Sequence, residues 1–241
     1  MAKRRIDSLL VERELVESRS KAQALIMAGE VTVDGQVVTK SGTLVAEEAV
    51  ISIAEPPPFV GRGGLKLDDA LAQFHLDVSG KVAADIGAST GGFTDCLLKR
   101  GASRVYAIDV GYGQLDYRLR QDSRVVVMER VNARYAITLP ENVDLATIDV
   151  SFISVEKVIP PVARLLKEGG YLVVLIKPQF EARREEVGKG GVIKGPSVHA
   201  LVLGRFIAWA VGQGFRLVGL IPSPILGASG NREFFVLLNM T

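Results

Sequence analysis

Four charged residues, far apart in the chain, could do chemistry if they met: Lys66, Asp149, Lys177 and Glu233. Asp149 and Lys177 close two apolar runs, Glu233 opens the last one, and Lys66 follows a proline-rich stretch. A lysine at the rim of a sheet is costly to bury unless acids pair with it, and two acids arriving at the same rim would supply that pairing. Two ammonium groups and two carboxylates in one place can take a proton from a hydroxyl and stabilise the oxyanion that develops. The same four could also form a structural ion-pair network crowning a sheet.

A second cluster would place a cofactor beside them. The stretch Asp85-Ile-Gly-Ala-Ser-Thr-Gly-Gly-Phe-Thr-Asp95 follows an apolar run and precedes a helix-like segment, Cys96–Arg100. Glycines there let the backbone pass close to a nucleoside, and the helix that follows offers free amide donors. A dinucleotide fingerprint would read G-x-G-x-x-G for a pyrophosphate. This loop instead reads D-x-G-x-x-x-G-G and opens on an acid, which suits S-adenosylmethionine, a ligand with a positive sulfonium, an amino group and no phosphate. Asp109, closing the next apolar run, is placed to accept ribose hydroxyls. The alternative is a strand–turn–helix with no ligand.

The elements that must position these residues alternate. Apolar runs at 82–86, 105–110, 125–128, 145–150, 171–176, 215–221 and 234–240 are separated by helix-like stretches, among them 65–74, 95–100, 155–166 and 198–211. Such alternation predicts an α/β domain with a parallel sheet covered on both faces, ligands sitting at the carboxyl ends of the strands. Pro56-Pro57-Pro58 cannot continue a helix or a central strand and marks a stiff boundary. The expected domains are 1–58, a small α+β module with its linker, and 59–241.

The module reads as a helix over 7–15 capped by Asp7 or Ser8, then a second helix capped by Ser18 or Ser20 and stopped by Gly29. Alternating apolar residues flank Asp34-Gly35 and predict a tight hairpin over 31–38, with a further strand at 49–53. Residues 1–55 carry seven basic and nine acidic side chains, so an RNA surface there must be a patch. Loop 181–196, with Arg183, Arg184, Lys189 and Lys194 among its glycines, reads either as a mobile basic lid over RNA or as a solvated crossover.

Nearly half of the 241 residues are apolar, enough for a sizeable core. Cys96 is the only cysteine, which excludes an internal disulfide and reads as a packing residue. His75 and His199 stand apart with no ligand pattern around them, so no metal site is expected. No signal-peptide core follows the basic start, and charged residues and prolines interrupt Leu201–Leu226, which reads as a core helix and then a strand. The expected location is cytoplasmic, with no membrane partner.

Arg5-Ile-Asp7, Ser18-Arg-Ser-Lys-Ala22, Gly29-Glu-Val31 and Val33-Asp-Gly35 resemble the small RNA-binding module named after ribosomal protein S-four, over roughly residues 4–54. That resemblance implies a grip on structured RNA through Arg5, Arg19, Lys21 and Lys40; as bare sequence these are equally solvated charges. The loop Asp85–Asp95, Thr147-Ile-Asp-Val-Ser-Phe-Ile-Ser154, Lys177-Pro-Gln-Phe-Glu181 and Gly230-Asn-Arg-Glu-Phe234 resemble the TlyA group. Its members look like FtsJ-like ribose 2′-O-methyltransferases, with a Rossmann-like S-adenosylmethionine-dependent sheet, fused behind an S-four-type module.

The resemblance implies a Lys-Asp-Lys-Glu tetrad at Lys66, Asp149, Lys177 and Glu233. The chemistry of a ribose hydroxyl then makes Lys177 the expected base, with Lys66 favouring its neutral form and the developing oxyanion and the two acids orienting the ammonium groups. Cofactor contacts are implied for Gly87, Ser89, Thr90, Gly91 and Asp109. Asp85 and Gly92 belong to the same loop, and Glu129 and Asn132 flank the adenine or ribose. The implied substrate is a cytidine in ribosomal RNA, of the large subunit first, met as RNA or as a ribosomal subunit. Two other functions compete: a haemolysin, the name the group often carries, and a non-enzymatic RNA-binding assembly factor.

Overall fold

The structure, a computed structural model, describes residues 3–54, 57–193 and 195–240, without the side chain of Lys189. Pro56 of the expected linker and Lys194 of the basic loop lie outside the described residues. The chain divides into two compact units, Met1–Pro57 and Pro58–Thr241.

In the first unit β1 (Lys3–Arg5) runs into α1 (Ile6–Glu12), followed by α2 (Arg19–Met27), β2 (Val31–Val33), β3 (Gln36–Val37), β4 (Leu44–Ala46) and β5 (Ile51–Ile53). Among the described residues β1 pairs with β4, and β3, β2 and β5 form an antiparallel sheet with β2 in the centre. Ile6, Leu10, Ala22, Ile26 and Val31 are fully buried between the helices and the sheet. Asp34 and Gly35 both take positive φ, 49° and 80°, as a two-residue hairpin turn matched to strand twist requires. The Ser18 hydroxyl accepts from the Lys21 amide and caps α2. The expected cap of α1 fails: that helix starts at Ile6, Arg5 is its N-cap without a side-chain bond, and Asp7 is a buried acceptor. The β1–β4 pair also escapes the sequence, because Lys3-Arg4-Arg5 is exposed throughout and shows no alternation.

The second unit follows the alternation. Its elements are α3 (Arg62–Gln73), β6 (Val82–Ile86), α4 (Gly92–Lys99), β7 (Arg104–Ile108), α5 (Tyr117–Gln121), β8 (Val125–Met128), β9 (Val143–Ile148), α6 (Ile159–Ala163), β10 (Leu166–Ile176), α7 (Pro178–Glu181), α8 (Pro196–Gly212), β11 (Phe215–Pro222) and β12 (Phe234–Met240). Among the described residues they form a seven-stranded sheet in the order β11-β12-β10-β9-β6-β7-β8. Strand β10 shows why it reads as one apolar run: Val174 and Ile176 enter the core under α6 and α8, while Val173 and Leu175 enter the core under α3 and α4. Val155–Leu166 is not one helix. A 3-10 turn, Val155–Lys157, precedes α6, which carries Pro160 and Pro161 in its first turn, and Leu166 already belongs to β10. Leu201–Leu226 resolves into the body of α8, then β11, and among the described residues no helix is long and apolar enough to cross a membrane.

The sheet is not all parallel. Strands β10, β9, β6, β7 and β8 run together, but β12 is antiparallel to both β10 and β11. A parallel return needs a crossover of about a dozen residues or more, usually a helix, whereas the 223–233 connection between β11 and β12 holds none. Phe234 therefore pairs with Ile176 at the rim where the parallel strands end. In an all-parallel sheet Glu233 would open its strand at the opposite rim.

Helix α3 meets α4 glycine to glycine. A Cβ on Gly92 would lie 3.0 Å from the Gly64 nitrogen and 3.2 Å from Cα of Gly63. A Cβ on Gly64 would come within 2.3 Å of Cβ and Cγ of Phe59, and Cβ, fixed to the main chain, cannot swing aside. Gly64→Ala is expected to lower unfolding stability by about 1–3 kcal/mol, the range for overpacking. Urea titration checks this, and an unchanged midpoint would show that the contact relaxes freely.

Candidate active site

The carboxyl rim brings the four charged residues together as two pairs. Lys66, in the second turn of α3, donates to Glu233 at 2.6 Å with both side chains nearly buried. Nζ of Lys177 lies 2.6 Å from Oδ1 of Asp149 and donates to the Ser151 hydroxyl at 2.8 Å. Strand register relates the pairs. Lys177 and Glu233 stand one residue beyond the final β10–β12 partners, Ile176 and Phe234, and Asp149 ends the neighbouring β9. Adjacent strands lie about 4.8 Å apart, so three strand ends span roughly 10 Å. Gly227 leaves room for the Glu233 carboxylate, since a Cβ there would fall 2.3 Å from Oε1. Among the described residues Asp149 Oδ1 has no aligned hydrogen-bond donor, although the ammonium is close.

The glycine loop builds the wall beside this rim. Gly87, Ser89 and Gly91 take φ of 85°, 49° and 99° and fold the chain sharply between β6 and α4. A Cβ on Gly87 would strike the Asp149 carbonyl at 2.3 Å, so the loop touches the end of β9 through bare backbone. Asp109 braces the loops: Oδ2 accepts from the Ser89 amide at 2.8 Å and Oδ1 from the Gly111 amide at 2.6 Å. Above them opens a cavity of about 530 Å³, lined by Gly87, Ser89, Asp109, Asn132 and Asp149 together with the apolar Ile86 and Val150. That volume and mixed lining suit a nucleoside-sized ligand. A smaller recess of about 150 Å³ joins Thr90, Gly92 and Asp149 to Gly61–Gly63 at the start of α3.

Some expected cofactor residues do not reach the cavity. Asp85 is wholly buried in β6, accepting from the hydroxyls of Thr94 at 2.7 Å and Thr147 at 3.2 Å, so it supports the loop from below. Gly91 faces Leu115 and Leu119, and its role is the turn. Glu129 accepts from the Gly113 amide and from Arg120, which holds its carboxyl below the usual range. Sequence reading missed Ser151, Gln114 and Phe152. Ser151 sits inside a quoted motif, but nothing in its type showed that Lys177 would reach it. Gln114 and Phe152 line the cavity, and Phe152 holds φ of 63° with 91% of its surface exposed.

The basic loop is tied down at several points. Glu186 pairs twice with Arg205 of α8, Ile193 is buried, and Asn231 accepts from the Ile193 amide and donates to the Gly191 carbonyl. Arg183 and Arg184 remain exposed, and the side chain of Lys189 lies outside the described residues. In the first unit Lys21 and Lys40 are exposed, while Arg5 and Arg19 both bind Asp7. Burial pushes the Cys96 thiol up to about 12, which leaves it unreactive. Among the described residues no group of His, Cys, Asp and Glu could hold a metal ion.

Residues 59–240 match the FtsJ-like methyltransferase family and residues 4–51 the S4 domain. A Bacillus subtilis protein, YqxC, named for rRNA methyltransferase activity, is 48% identical over 244 residues, which is 98% of this chain and 86% of that protein. The 16S/23S rRNA (cytidine-2′-O)-methyltransferase TlyA of Mycobacterium tuberculosis is 44% identical over 245 residues, 99% of this chain and 91% of its own. A solved structure described as a candidate haemolysin from Streptococcus thermophilus superposes with a TM-score of 0.76 at 44% identity, covering 100% of this chain and 90% of that one.

The buried acid under the loop gives a pH signature. Burial, with a smaller contribution from Asp149, pushes Asp85 up to about 7, against the opposing bonds from Thr94 and Thr147. A carboxyl raised on folding takes up a proton, so stability falls as pH rises from about 4 to about 7 and then levels off. Asp85→Asn removes the titration and is expected to flatten that slope, making the variant relatively more stable at pH 8 than at pH 5. Denaturation at the two pH values checks this; parallel curves for both proteins would count against it.

Proposed function

The chain belongs to the FtsJ-like methyltransferase family, with an S4 domain ahead of the catalytic region, and from that premise we propose that it methylates the 2′-hydroxyl of a cytidine ribose in ribosomal RNA. The carrying observation is the pairing of Lys66 with Glu233 and Lys177 with Asp149 beside the glycine-loop cavity. S-adenosylmethionine fits this cavity: the backbone of Gly87 and Ser89 and the carboxylate of Asp109 would hold it, with Asn132 lining the same space. Once bound, it supplies an activated methyl group.

The remaining work falls to the chain's own side chains. A ribose hydroxyl is a weak nucleophile at neutral pH, so a base must take its proton and the oxygen must be held in line. Lys177 is that base, acting as the neutral amine once its own proton has left and becoming ammonium again as it takes the proton of the hydroxyl. Asp149 and Ser151 fix its Nζ. Lys66, held by Glu233, adds the second positive charge that favours the developing oxyanion. The two carboxylates neutralise two nearly buried ammonium groups that could not otherwise remain there.

The substrate is RNA, gripped by the S4 domain, with large-subunit ribosomal RNA as the first target. The haemolysin name of relatives gains nothing from a spanning helix among the described residues. Lys177→Ala is expected to cut methyl transfer into ribosomal RNA by about 10²–10⁴-fold, the usual worth of a general base. Binding of S-adenosylmethionine should stay within a few-fold, by calorimetry. Full turnover in that variant would remove Lys177 from the mechanism. Mass mapping of both ribosomal RNAs from cells with and without the gene identifies the target nucleotide.

A further inference from the structure

Asp7 is fully buried in the small unit, yet two half-exposed arginines reach it from different elements. Arg5, at the start of α1, binds it with both ends of the fork: Nε to Oδ1 at 3.0 Å and Nη2 to Oδ2 at 2.9 Å. Arg19, on α2, donates Nε to Oδ2 at 3.1 Å, and Gln23 donates to the same oxygen at 3.1 Å. The Arg5 guanidinium lies over Gly42, where a Cβ would sit 3.2 Å from Nη1. Arg5 first, then Gln23 and Arg19, hold the Asp7 carboxyl far below the usual carboxylate range, against the cost of burial.

One arginine would satisfy this carboxylate. The second leaves the cluster with a surplus positive charge at the surface. Each guanidinium has five N–H donors, of which Arg5 uses two on Asp7 and Arg19 one. Among the described residues the others find no acceptor. The result is two planar forks, set by one carboxylate behind them, with their outer edges turned to solvent. Oxyanions with several acceptor oxygens are bound best by such pre-oriented forks.

We propose that Asp7 is a positioning residue that locks Arg5 and Arg19 into a single clamp for one backbone phosphate of the RNA. The inference rests on the reading that this chain binds ribosomal RNA and adds the unit through which the small domain does so. It makes a counterintuitive claim about sign. Removing an acid from an RNA-binding surface strengthens binding through long-range electrostatics. If Asp7 sets the clamp, its neutral isostere weakens binding, because an amide NH₂ cannot receive the second arm of the Arg5 fork and releases both side chains.

The test uses the full chain and a ribosomal RNA transcript, with Kd measured by fluorescence anisotropy from about 50 to 200 mM KCl. Asp7→Asn is expected to raise Kd about 10-fold and to reduce the slope of log Kd against log salt by about 1, the value of one phosphate contact. KM for RNA should rise while kcat holds. Tighter or unchanged binding by a folded Asp7→Asn protein overturns the proposal. If that variant unfolds at the assay temperature, Arg5→Ala, Arg19→Ala and the double variant decide instead. A clamp predicts that the double loses little more than the worse single, and additive losses overturn it. Failure of the wild-type chain to bind ribosomal RNA would instead sink the substrate assignment, so the two failures are distinguishable.

Discussion

The catalytic rim depends on the cost of taking an ammonium group out of water. Neither Lys66 nor Lys177 could stay at a nearly closed sheet edge without a carboxylate within hydrogen-bond reach. The fold therefore has to deliver Glu233 and Asp149 to the same edge as the lysines, from segments up to 167 residues apart in the chain. Removing either acid would strand a positive charge in a low-dielectric pocket, a situation that typically costs about 3–5 kcal/mol. The pairs that make the chemistry conceivable are thus also constraints on stability, and the layout of the second unit can be understood as the means of meeting them.

The reversed strand β12 is the principal means. The five neighbouring parallel strands could supply Asp149 and Lys177 from their carboxyl ends, but no further parallel strand could bring in a residue from its start. Running β12 the other way turns its first residues toward the rim, and the register of Phe234 against Ile176 fixes Glu233 beside Lys177. The glycine loop supplies the other wall, with Asp109 holding Ser89 and Gly111 and the bare backbone of Gly87 lying on the Asp149 carbonyl. Cavity and charge pairs share a residue, Asp149, so the floor of one is the edge of the other.

Much of this was legible in the sequence because its physics is local. Glycines that need positive φ, an Asp-Gly turn, and apolar runs with both faces buried announce themselves without tertiary information. The α/β class followed from them, and so did the site of the loop. What stayed hidden is set by partners. The direction of β12 depends on the absence of a helix after β11, a negative signal easily passed over. Asp85 reads as a ligand-facing acid because its loop opens on it, whereas two threonines from other elements hold it beneath the loop. Ser151 and Gln114 have side chains of no marked type, and only the folded geometry gives them neighbours. Asp7 looked like a helix cap for the same reason: an acid near a helix start is a common cap, and the arginine that claims it from α2 is 12 residues away.

The bare contact between the starts of α3 and α4 has a consequence for how this site can change. Gly63 and Gly64 rest against Gly92 with no side chain between them. A Cβ on Gly92 would meet main chain alone, so no rotamer is available to absorb a substitution at that position. A methyl group added at Gly92 would push on the main chain of α3 itself, and the Lys66 ammonium rides on that helix. The distance between charge and cofactor wall is therefore set by main-chain thickness, a quantity that point mutation can increase but never finely adjust.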